Sequence, residues 1–431
     1  MSERTIKVDY LARVEGEGAL HMAWDGDRVT ELSLSIFEPP RFFESFLRGR
    51  SALEAPDVTA RICGICPVAY QMSACAAVEQ ALGVVVPKRL HQLRRLLYCG
   101  EWIESHVLHI AMLHAPDFFG LPDAMELAKL HRDEVVAALA AKKAGNAIVT
   151  MLGGREIHPI NVKVGGFWRL PRRTEVDALR EQLLAARALM EKVVRWTSTF
   201  DFPELQRDQP FMALGPGDVY PLMEGPVVST LGHRFEASDW PQHVVEEHVE
   251  RSNALHARLD GQLYQVGPLA RFALNFEQLP AHLQDLAHEI GATPPVRNPF
   301  RSLLVRGIET LFAFDEAVRI LESLDGEALR AEPSVEVPLR AGVGHGVSEA
   351  PRGILYHRYE VDEQGLITHA DIVPPTAQNQ LAIEADLWAL ADDLYQLDHA
   401  TATMRAEQAI RNYDPCISCA THFLTLTREE R

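Results

Sequence analysis

Four of the six cysteines form two short pairs near opposite ends of the chain. Cys63 and Cys66 stand in R-I-C-G-I-C-P, and Cys416 and Cys419 stand in D-P-C-I-S-C-A-T-H. Two residues between cysteines allow both thiolates to reach one ion, and thiolates bind soft or borderline metals. Because the sequence opens without a secretory signal, metal or redox chemistry is expected here rather than a disulfide framework.

The spacing leaves two kinds of thiolate site to compare. A structural zinc site usually draws both pairs from a short stretch, since the metal replaces a core that a small module lacks. These pairs lie about 350 positions apart, which argues against zinc. An iron-sulfur cluster also accepts four thiolates, and spacing does not exclude it. The surrounding sequence has to decide between them.

The elements that must position these cysteines are predicted from hydrophobic periodicity. Alternating residues at 19–24 and 29–37 flank Asp25-Gly26-Asp27 and predict an N-terminal hairpin, and a second hairpin is predicted at 354–361 and 366–373. Helical spacing extends from about 67 to 195, and recurs near 241–260, at 300–324 and from 376 to 411. The predicted fold class is α+β and predominantly α, a bundle of long helices with small peripheral β-hairpins at its N-terminal and C-terminal parts.

Pro- and Gly-containing stretches at 152–171 and 202–226 are predicted as loops within the bundle, because neither resembles a domain linker. We therefore expect one unit over residues 1–422. It consists of an N-terminal β region at 1–66, a helical bundle at 67–330 and a C-terminal region at 331–422. Gly342-x-Gly344-x-Gly346 imitates a nucleotide loop, but no strand and helix frame it as a dinucleotide fold requires.

Composition and charge narrow the possible functions. The 431 residues are 47% hydrophobic and 24% charged, as in ordinary globular proteins. A formal charge of -18 opposes binding to nucleic acid. The opening MSERTIKVDY has no apolar signal region, and no stretch approaches the roughly 18 uninterrupted apolar residues of a membrane span. We expect a cytoplasmic protein that binds neither membrane nor nucleic acid.

The residues around both cysteine pairs resemble the two signature motifs of nickel-iron hydrogenase large subunits. Further blocks resemble the family in the same order, namely R-V-E-G at 13–16, A-P-D-F at 115–118, E-A-P-R-G at 349–353 and P-T-A-Q-N at 375–379. The resemblance covers nearly the whole chain and implies reversible oxidation of H2 to protons and electrons. Within the family, the chain is most similar to soluble cytoplasmic enzymes linked to NADP or NAD, including sulfhydrogenase alpha subunits.

The resemblance also implies how the cysteines share the metals. Cys63 and Cys416 would be terminal nickel ligands, whereas Cys66 and Cys419 would bridge nickel to an iron that carries CO and cyanide. Four thiolates stabilise higher nickel oxidation states and leave positions open at which H2 is polarised and split. Glu15 resembles the first carboxylate of the family's proton path, beside a cysteine ligand.

Other site residues are implied in the same way. Arg352 resembles an arginine that lies over the metals and donates to a cyanide ligand, with Asp117 and Asp414 holding it in place. Pro351, Arg352 and Thr376 are therefore expected to bind the cofactor.

Glu44 and His422 resemble the ligands of a magnesium ion beside the active site. The same histidine has a second meaning, since family precursors are cut directly after it once nickel is installed. Residues 423–431 are therefore expected to form a removable tail.

Tyr70 departs from the family pattern, because many relatives have histidine four positions after the second cysteine of the first motif. A phenol can donate one hydrogen bond to the bridging thiolate, but it does not titrate near neutrality as imidazole does. His106, His109 and His158 are expected to be packed or hydrogen-bonded rather than to bind metal.

Electrons need a route out of this chain, because Cys75 and Cys99 are too few for a cluster and no dinucleotide domain is predicted. The resemblance implies an iron-sulfur small subunit, diaphorase subunits with FAD, NAD(P) and further iron-sulfur clusters, a maturation endopeptidase and nickel-insertion factors. Alternative acceptors within the same fold are ferredoxin, a heterodisulfide reductase or a deazaflavin. A non-catalytic relative of a respiratory complex I subunit and a zinc-stabilised binding protein are further alternatives, against which the four cysteines and Arg352 argue.

Overall fold

The computed structural model describes residues 3–217, 219–324, 326 and 329–421. Its helices are α1 (Phe43–Leu47), α2 (Ala55–Thr59), α3 (Pro67–Leu82), α4 (Lys88–Val107), α5 (Ala124–Leu130), α6 (Arg132–Gly153), α7 (Arg173–Thr197), α8 (Trp240–His243), α9 (Pro268–Asn275), α10 (Ala281–Glu289), α11 (Ser302–Ser323), α12 (Pro375–Gln396), α13 (His399–Arg411) and α14 (Ile417–Ala420). A π-helical turn, Leu108–His114, extends α4, and short 3-10 turns join several of the other helices.

Small antiparallel sheets surround the helices. The strands are β1 (Glu3–Val8), β2 (Gly18–Asp25), β3 (Arg28–Ile36), β4 (Val162–Lys163), β5 (Gly166–Phe167), β6 (Met212–Leu214), β7 (Val227–Ser229), β8 (Arg234–Phe235), β9 (Val244–His248), β10 (Leu255–Leu259), β11 (Gly342–Ala350), β12 (Gly353–Val361) and β13 (Ile367–Val373). They form three-stranded sheets β1-β2-β3, β6-β7-β8 and β11-β12-β13, and the two-stranded pairs β4-β5 and β9-β10. The predicted α+β class, dominated by helices, is confirmed.

Helices α4, α6, α7 and α11 pack side by side in the centre of the bundle. Helix α7 buries one stripe, which includes Val176, Leu179 and Leu183, as the helical periodicity predicted. Helix α4 differs, since its second half is buried on all sides and includes Glu101 and Glu104. A buried carboxyl group needs hydrogen-bond partners, and Glu101 finds them in the backbone at the start of α3.

Helix α6 is the one described helix that is long and apolar enough to cross a membrane by composition. Its mean hydropathy over the best window is 1.4, and 56% of that window is buried against the rest of the protein. A core helix of the bundle passes the same test.

Both predicted hairpins are present, and each gains a third strand. The pair β2-β3 is joined at Gly26, and β1 adds to its edge in register from Glu3 opposite Asp25 to Val8 opposite Leu20. At the other end of the chain, β11 adds to β12-β13. The alternation of residues predicted the hairpins but not these edge strands.

The glycine-rich stretch at 342–346 packs a strand against a helix. A Cβ atom at Gly344 would lie 1.9 Å from the carbonyl oxygen of Ala77, and one at Gly346 would lie 2.2 Å from that of Ser73. Glycine is needed because β11 lies directly on the backbone of α3. The stretch is therefore not a nucleotide loop, in agreement with the sequence analysis.

The helix predicted near 241–260 was wrong. Only the four residues of α8 are helical, and they are followed by the hairpin β9-β10, in which Val244 pairs with Leu259. Consecutive β-branched residues Val244 and Val245 and the alternating burial of β9 favour a strand, and pairing with β10 satisfies the backbone of both segments.

Candidate metal centre

The two cysteine pairs are presented by short turns at the start of helices. Cys66 directly precedes α3, and Cys416 directly precedes α14, which contains Cys419. Glu101 on α4 holds the first turn of α3 in place. Its carboxyl group accepts hydrogen bonds from the backbone N–H groups of Val68 at 2.6 Å and Ala69 at 3.0 Å. This buried carboxylate fixes the helix that carries the first pair.

The four thiols converge at one buried point. The Sγ atoms of Cys63 and Cys416 lie 3.5 Å apart, those of Cys66 and Cys419 lie 3.7 Å apart, and those of Cys416 and Cys419 lie 2.6 Å apart. All four sulfur atoms lie within 4.8 Å of one another, and none of the residues is more than 3% exposed. The fold therefore joins residues that are 353 positions apart into one four-sulfur site.

Electrostatics make this group of thiols a cation site. Burial alone would raise the pKa of Cys63, but hydrogen bonds from the other three thiols and the nearby Arg352 lower it well below its usual range. Burial and the contact with Cys419 raise the pKa of Cys416. Protein groups therefore favour one thiolate, and a bound metal cation is needed for all four to ionise.

Glu15 lies directly beside the second pair. Its Oε2 atom is 3.1 Å from the Sγ atom of Cys416 and accepts a hydrogen bond of 3.0 Å from the backbone of Ser418. The backbone of Glu15 also forms a parallel bridge with Cys416. The hydroxyl of Ser418 in turn donates a hydrogen bond of 2.7 Å to the carboxylate of Glu38, which is half-buried. The sequence analysis did not identify Ser418 or Glu38.

Arg352 and Asp414 form a buried pair at the site. Arg352 donates from Nε to the carbonyl oxygen of Asp414 at 2.6 Å and from Nη2 to its carboxylate at 3.1 Å. Its Nη1 atom is buried and has no hydrogen-bond partner within the described part of the chain. Thr376 accepts a hydrogen bond of 3.0 Å from the backbone of Cys416 and so fixes the second cysteine turn. These contacts leave one guanidinium donor for a ligand at the metals.

A residue that the sequence analysis missed, Arg271, anchors the turn before Arg352. From helix α9 it donates to the carbonyl oxygens of Ala350 at 2.8 Å and Pro351 at 3.0 Å. The same guanidinium binds Glu309 through two bonds of 2.8 Å and Glu349 through one of 3.0 Å. No motif surrounds Arg271, so only the folded arrangement reveals its position.

Asp117 does not hold Arg352, and this expectation is corrected by the structure. Its carboxylate instead accepts hydrogen bonds from Arg411 at 2.7 and 2.8 Å, from Arg13 and from His114. Two guanidinium groups occupy its oxygen atoms, and with His114 they outweigh the effect of burial and keep its pKa below the usual range. Asp117 therefore joins the loops that carry Glu15 and Asp414 rather than the arginine itself.

Glu44 lies in a separate acidic group formed by α1, β9 and β13. It accepts a hydrogen bond of 2.8 Å from the backbone of Ile372, and burial together with Asp371 raises its pKa to about 8. Burial and the nearby Glu44 raise the pKa of Glu246 as well, and its Oε1 atom has no hydrogen-bond partner among the described residues. Clustered carboxylates of this kind suit a hard cation. His422 and the predicted tail, residues 423–431, lie outside the described residues.

Tyr70, His106 and His109 are buried, whereas His158 is half-buried. The phenol of Tyr70 lies beside Cys419, and burial together with the charges of the nearby cysteines and its contact with Cys419 raises its pKa. His106 contacts Glu309 at 3.0 Å, and the ring nitrogens of His109 and His158 contact backbone carbonyl oxygens at 2.7 and 2.6 Å. The histidines are hydrogen-bonded, as predicted.

Comparison with known proteins agrees with this site. Residues 41–133 and 233–422 match the family of nickel-dependent hydrogenases. The chain is 32% identical over 426 residues to the alpha subunit of sulfhydrogenase 1 from Pyrococcus furiosus, which covers 98% of each chain. It is 29% identical to the beta subunit of the NAD-reducing hydrogenase from Cupriavidus necator, over 98% of this chain and 95% of that one. A crystal structure of an NAD+-reducing NiFe hydrogenase in the H2-reduced state superposes with a TM-score of 0.87 at 28% identity, over 97% of this chain and 99% of the other.

The fold and the buried four-thiolate site define the large subunit of a metal-dependent oxidoreductase. The chain belongs to the nickel-dependent hydrogenase family, and it is a nickel-iron hydrogenase whose metals are held at the four cysteines. The relatives are named as subunits of larger enzymes, so this chain works with partner subunits.

Proposed function

We propose that this hydrogenase runs H2 oxidation and proton reduction in a complex whose distant electron acceptor is NADP or NAD. This electron acceptor is proposed because the chain is similar over its full length to two NAD-linked hydrogenases, one in sequence and one in structure. Chains named as sulfhydrogenase and F420-non-reducing hydrogenase subunits are also similar over nearly the whole length. Ferredoxin, a heterodisulfide reductase and a deazaflavin are therefore the alternatives that the experiment must compare.

The four cysteines divide into two roles in this proposal. Cys63 and Cys416 would hold nickel alone, and Cys66 and Cys419 would hold both nickel and an iron that carries CO and cyanide. The centre would supply an open position at which H2 is polarised and split, so that each H2 yields two protons and two electrons. The buried, unpaired Nη1 donor of Arg352 supports a cyanide acceptor beside it.

Glu15 removes the proton in this proposal. Its Oε2 atom lies 3.1 Å from the sulfur of Cys416, so a proton on that sulfur is within hydrogen-bond reach of a carboxylate. Ser418 joins Glu15 to Glu38 through its backbone N–H and its hydroxyl, and Glu38 reaches partial exposure. Because a backbone amide does not pass on a proton, the hydroxyl of Ser418 would carry the proton from Glu15 to Glu38 in this proposal.

A magnesium ion beside the site is part of the same proposal. Glu44 is the ligand within the described chain, His422 is the second, and the nearby Glu246 adds the negative charge that a hard cation requires. Binding of the cation stabilises the ionised form of Glu44, whose carboxyl is otherwise protonated up to a pH of about 8.

The iron-sulfur small subunit is proposed to bind the surface outside the first cysteine pair. Ile157, Ile160 and Trp168 are 59%, 50% and 63% exposed. Ile157 lies beside the cysteine turn, since its Cγ2 atom would be 3.9 Å from a Cβ atom at Gly64. Exposed apolar side chains that begin at the cysteine turn support this surface as the one that the small subunit covers.

Maturation and location follow the family expectation. We expect an endopeptidase to cut after His422 and release residues 423–431 once nickel-insertion factors have acted. We expect the protein to lie in the cytoplasm. The intact mass of the chain, measured before and after metal loading, tests this cleavage, because the mature chain lacks the mass of residues 423–431. A non-catalytic role like that of the complex I relative is disfavoured by the four converging thiols.

The test uses the complex purified with its natural partners. Nickel and iron are counted by mass spectrometry, and CO and cyanide are detected by infrared spectroscopy. H2-dependent reduction is then measured in parallel with NADP+, NAD+, a deazaflavin, ferredoxin and a heterodisulfide reductase supplied with its heterodisulfide. One nickel per chain with reduction of NADP+ or NAD+ supports the proposal. The same metal content with reduction of only ferredoxin, the deazaflavin or the heterodisulfide would retain the hydrogenase and overturn the proposed acceptor.

A further inference from the structure

A second group of metal-ligating side chains lies on the surface between β7 and the end of β10. His233, His243 and Asp260 each offer one ligand atom, and these three atoms lie within 4.8 Å of one another. None of them belongs to the cysteine site or to the acidic group at Glu44. We propose that this triad binds a divalent transition-metal ion of the first row, for which Zn2+ is the probe.

The distances fit a metal with little rearrangement. The Nε2 atom of His233 is 2.7 Å from Asp260 Oδ2, and the Nδ1 atom of His243 is 3.3 Å from both carboxylate oxygens. Bonds of about 2.0–2.1 Å around a tetrahedral zinc ion place neighbouring ligand atoms roughly 3.3 Å apart. His243 already has this separation, and His233 needs to move by only about 0.6 Å.

Each ligand is held in place by a group other than the proposed ion. The second ring nitrogen of His233 contacts the hydroxyl of Ser229 at 2.8 Å, the arrangement that usually orients a metal-binding imidazole. The ring of His243 stacks on Phe235 with centroids 4.3 Å apart. The backbone of Asp260 donates to the carbonyl oxygen of His243 at 2.8 Å, which fixes these two ligands relative to each other.

The ligand types decide which ions suit the site. Two imidazoles with one carboxylate favour Zn2+, Ni2+ or Co2+, whereas Mg2+ and Ca2+ prefer oxygen ligands alone. The side chains are 19%, 30% and 41% exposed, in the order His233, His243 and Asp260, so water completes the coordination from the solvent side. A bound ion joins the turn after β7, the end of α8 and the turn after β10, and its role is structural.

Binding of Zn2+ to the assembled complex tests the proposal, with protein prepared without a polyhistidine tag and treated with a mild chelator. A competition titration against a chromophoric chelator should give one Zn2+ per chain beyond the nickel and iron. X-ray absorption at the zinc edge should show nitrogen and oxygen ligands at about 2.0–2.1 Å and no sulfur near 2.3 Å. A sulfur shell would mean that zinc enters the cysteine site and would overturn the assignment, as would the absence of additional zinc.

Variants separate a metal site from a group of ordinary ion pairs. His243→Gln and Asp260→Asn should each weaken zinc binding by at least about 100-fold, and Ser229→Ala should weaken it by roughly 10- to 100-fold. His282→Gln is the matched control, because His282 contacts Asp315 at 2.8 Å and this pair has no third metal-ligating side chain among the described residues. H2 oxidation should remain at the wild-type level in all four variants. Equal zinc affinity in the triad variants and the control would overturn the proposal.

Discussion

Replacing Arg271 by lysine removes the fork that holds the turn before Arg352 while keeping the positive charge. Arg271 is fully buried and donates five hydrogen bonds, two to Glu309, one to Glu349 and one each to the carbonyl oxygens of Ala350 and Pro351. A lysine has three donors on a single nitrogen and cannot reach groups on both sides of the guanidinium plane. At least two of these bonds are therefore lost.

The expected loss of stability follows from the number of bonds. Hydrogen bonds to charged groups contribute about 1.5–3 kcal/mol each, so two of them correspond to about 3–6 kcal/mol. We expect the lower value, about 3 kcal/mol, because Glu309 keeps one contact with the ammonium group. For a chain of 431 residues, an unfolding entropy of about 2.1 cal/mol/K per residue converts this into a fall in Tm of about 3 °C.

The fall in H2-oxidation activity should be larger than the small change in Tm alone explains. Once the carbonyl oxygens of Ala350 and Pro351 lose their anchor, Arg352 is no longer fixed over the cysteines, and misplacement by about 1 Å costs roughly 100-fold in rate. We expect H2-driven dye reduction to fall by at least about tenfold at unchanged nickel content. Thermal scans at one fixed rate, metal analysis and the dye assay measure the three quantities on the same preparation.

Arg180→Lys is the control for this experiment. Arg180 donates to Glu322 at 3.0 and 2.7 Å on the surface, where water and salt screen the ion pair and leave it little effect on stability. If Arg271→Lys changes Tm and activity no more than Arg180→Lys does, the anchoring role of Arg271 is refuted.

Four further changes address separate parts of the site. Cys419→Ser should abolish H2 turnover because the fourth thiolate is lost, and retained uptake would contradict that role. Glu15→Gln should slow proton exchange with D2 while nickel and iron stay bound, and an unchanged exchange rate would remove Glu15 from the proton path. Tyr70→Phe should shift the infrared CO and cyanide bands if the phenol donates to the thiolate of Cys419, and identical bands would exclude that donor. Burial lowers the pKa of His106 from 6.5 to about 4. As the pH falls from 6.5 to about 4, the unfolded chain therefore protonates this histidine and the folded chain does not. The free energy of unfolding declines by about 3 kcal/mol over this range. His106→Gln should flatten this part of the curve of Tm against pH, and an unchanged slope below pH 6.5 would contradict the assignment.

The sequence predicted the residues that motifs mark and missed those that only packing brings close. Cys63 and Cys416 were found because thiolate pairs are rare and their spacing has a chemical meaning. Glu15 was found through its motif. Arg271 carries no such mark, since an arginine on an amphipathic helix is usually exposed, and only the folded chain shows it to be buried at the site.

The errors have physical causes as well. The segment at 241–260 has apolar residues whose spacing is compatible with a helix, but pairing between β9 and β10 outweighs that local preference. Asp117 was assigned to Arg352 by resemblance, whereas two nearer arginines, Arg411 and Arg13, occupy its carboxylate. Choices between neighbouring partners of the same charge depend on distances of a few ångströms, which spacing in the sequence does not contain.

The separation of the two cysteine pairs along the chain has a consequence for the order of events during protein synthesis. The first cysteine pair leaves the ribosome with its partners still 353 residues away. At about 5–20 residues per second, Cys63 and Cys66 wait on the order of 20 to 70 seconds before Cys416 and Cys419 exist. During that interval the nascent chain exposes a bidentate thiol pair without the residues that later enclose it, so protection from oxidation and from unwanted metals must come from outside the chain.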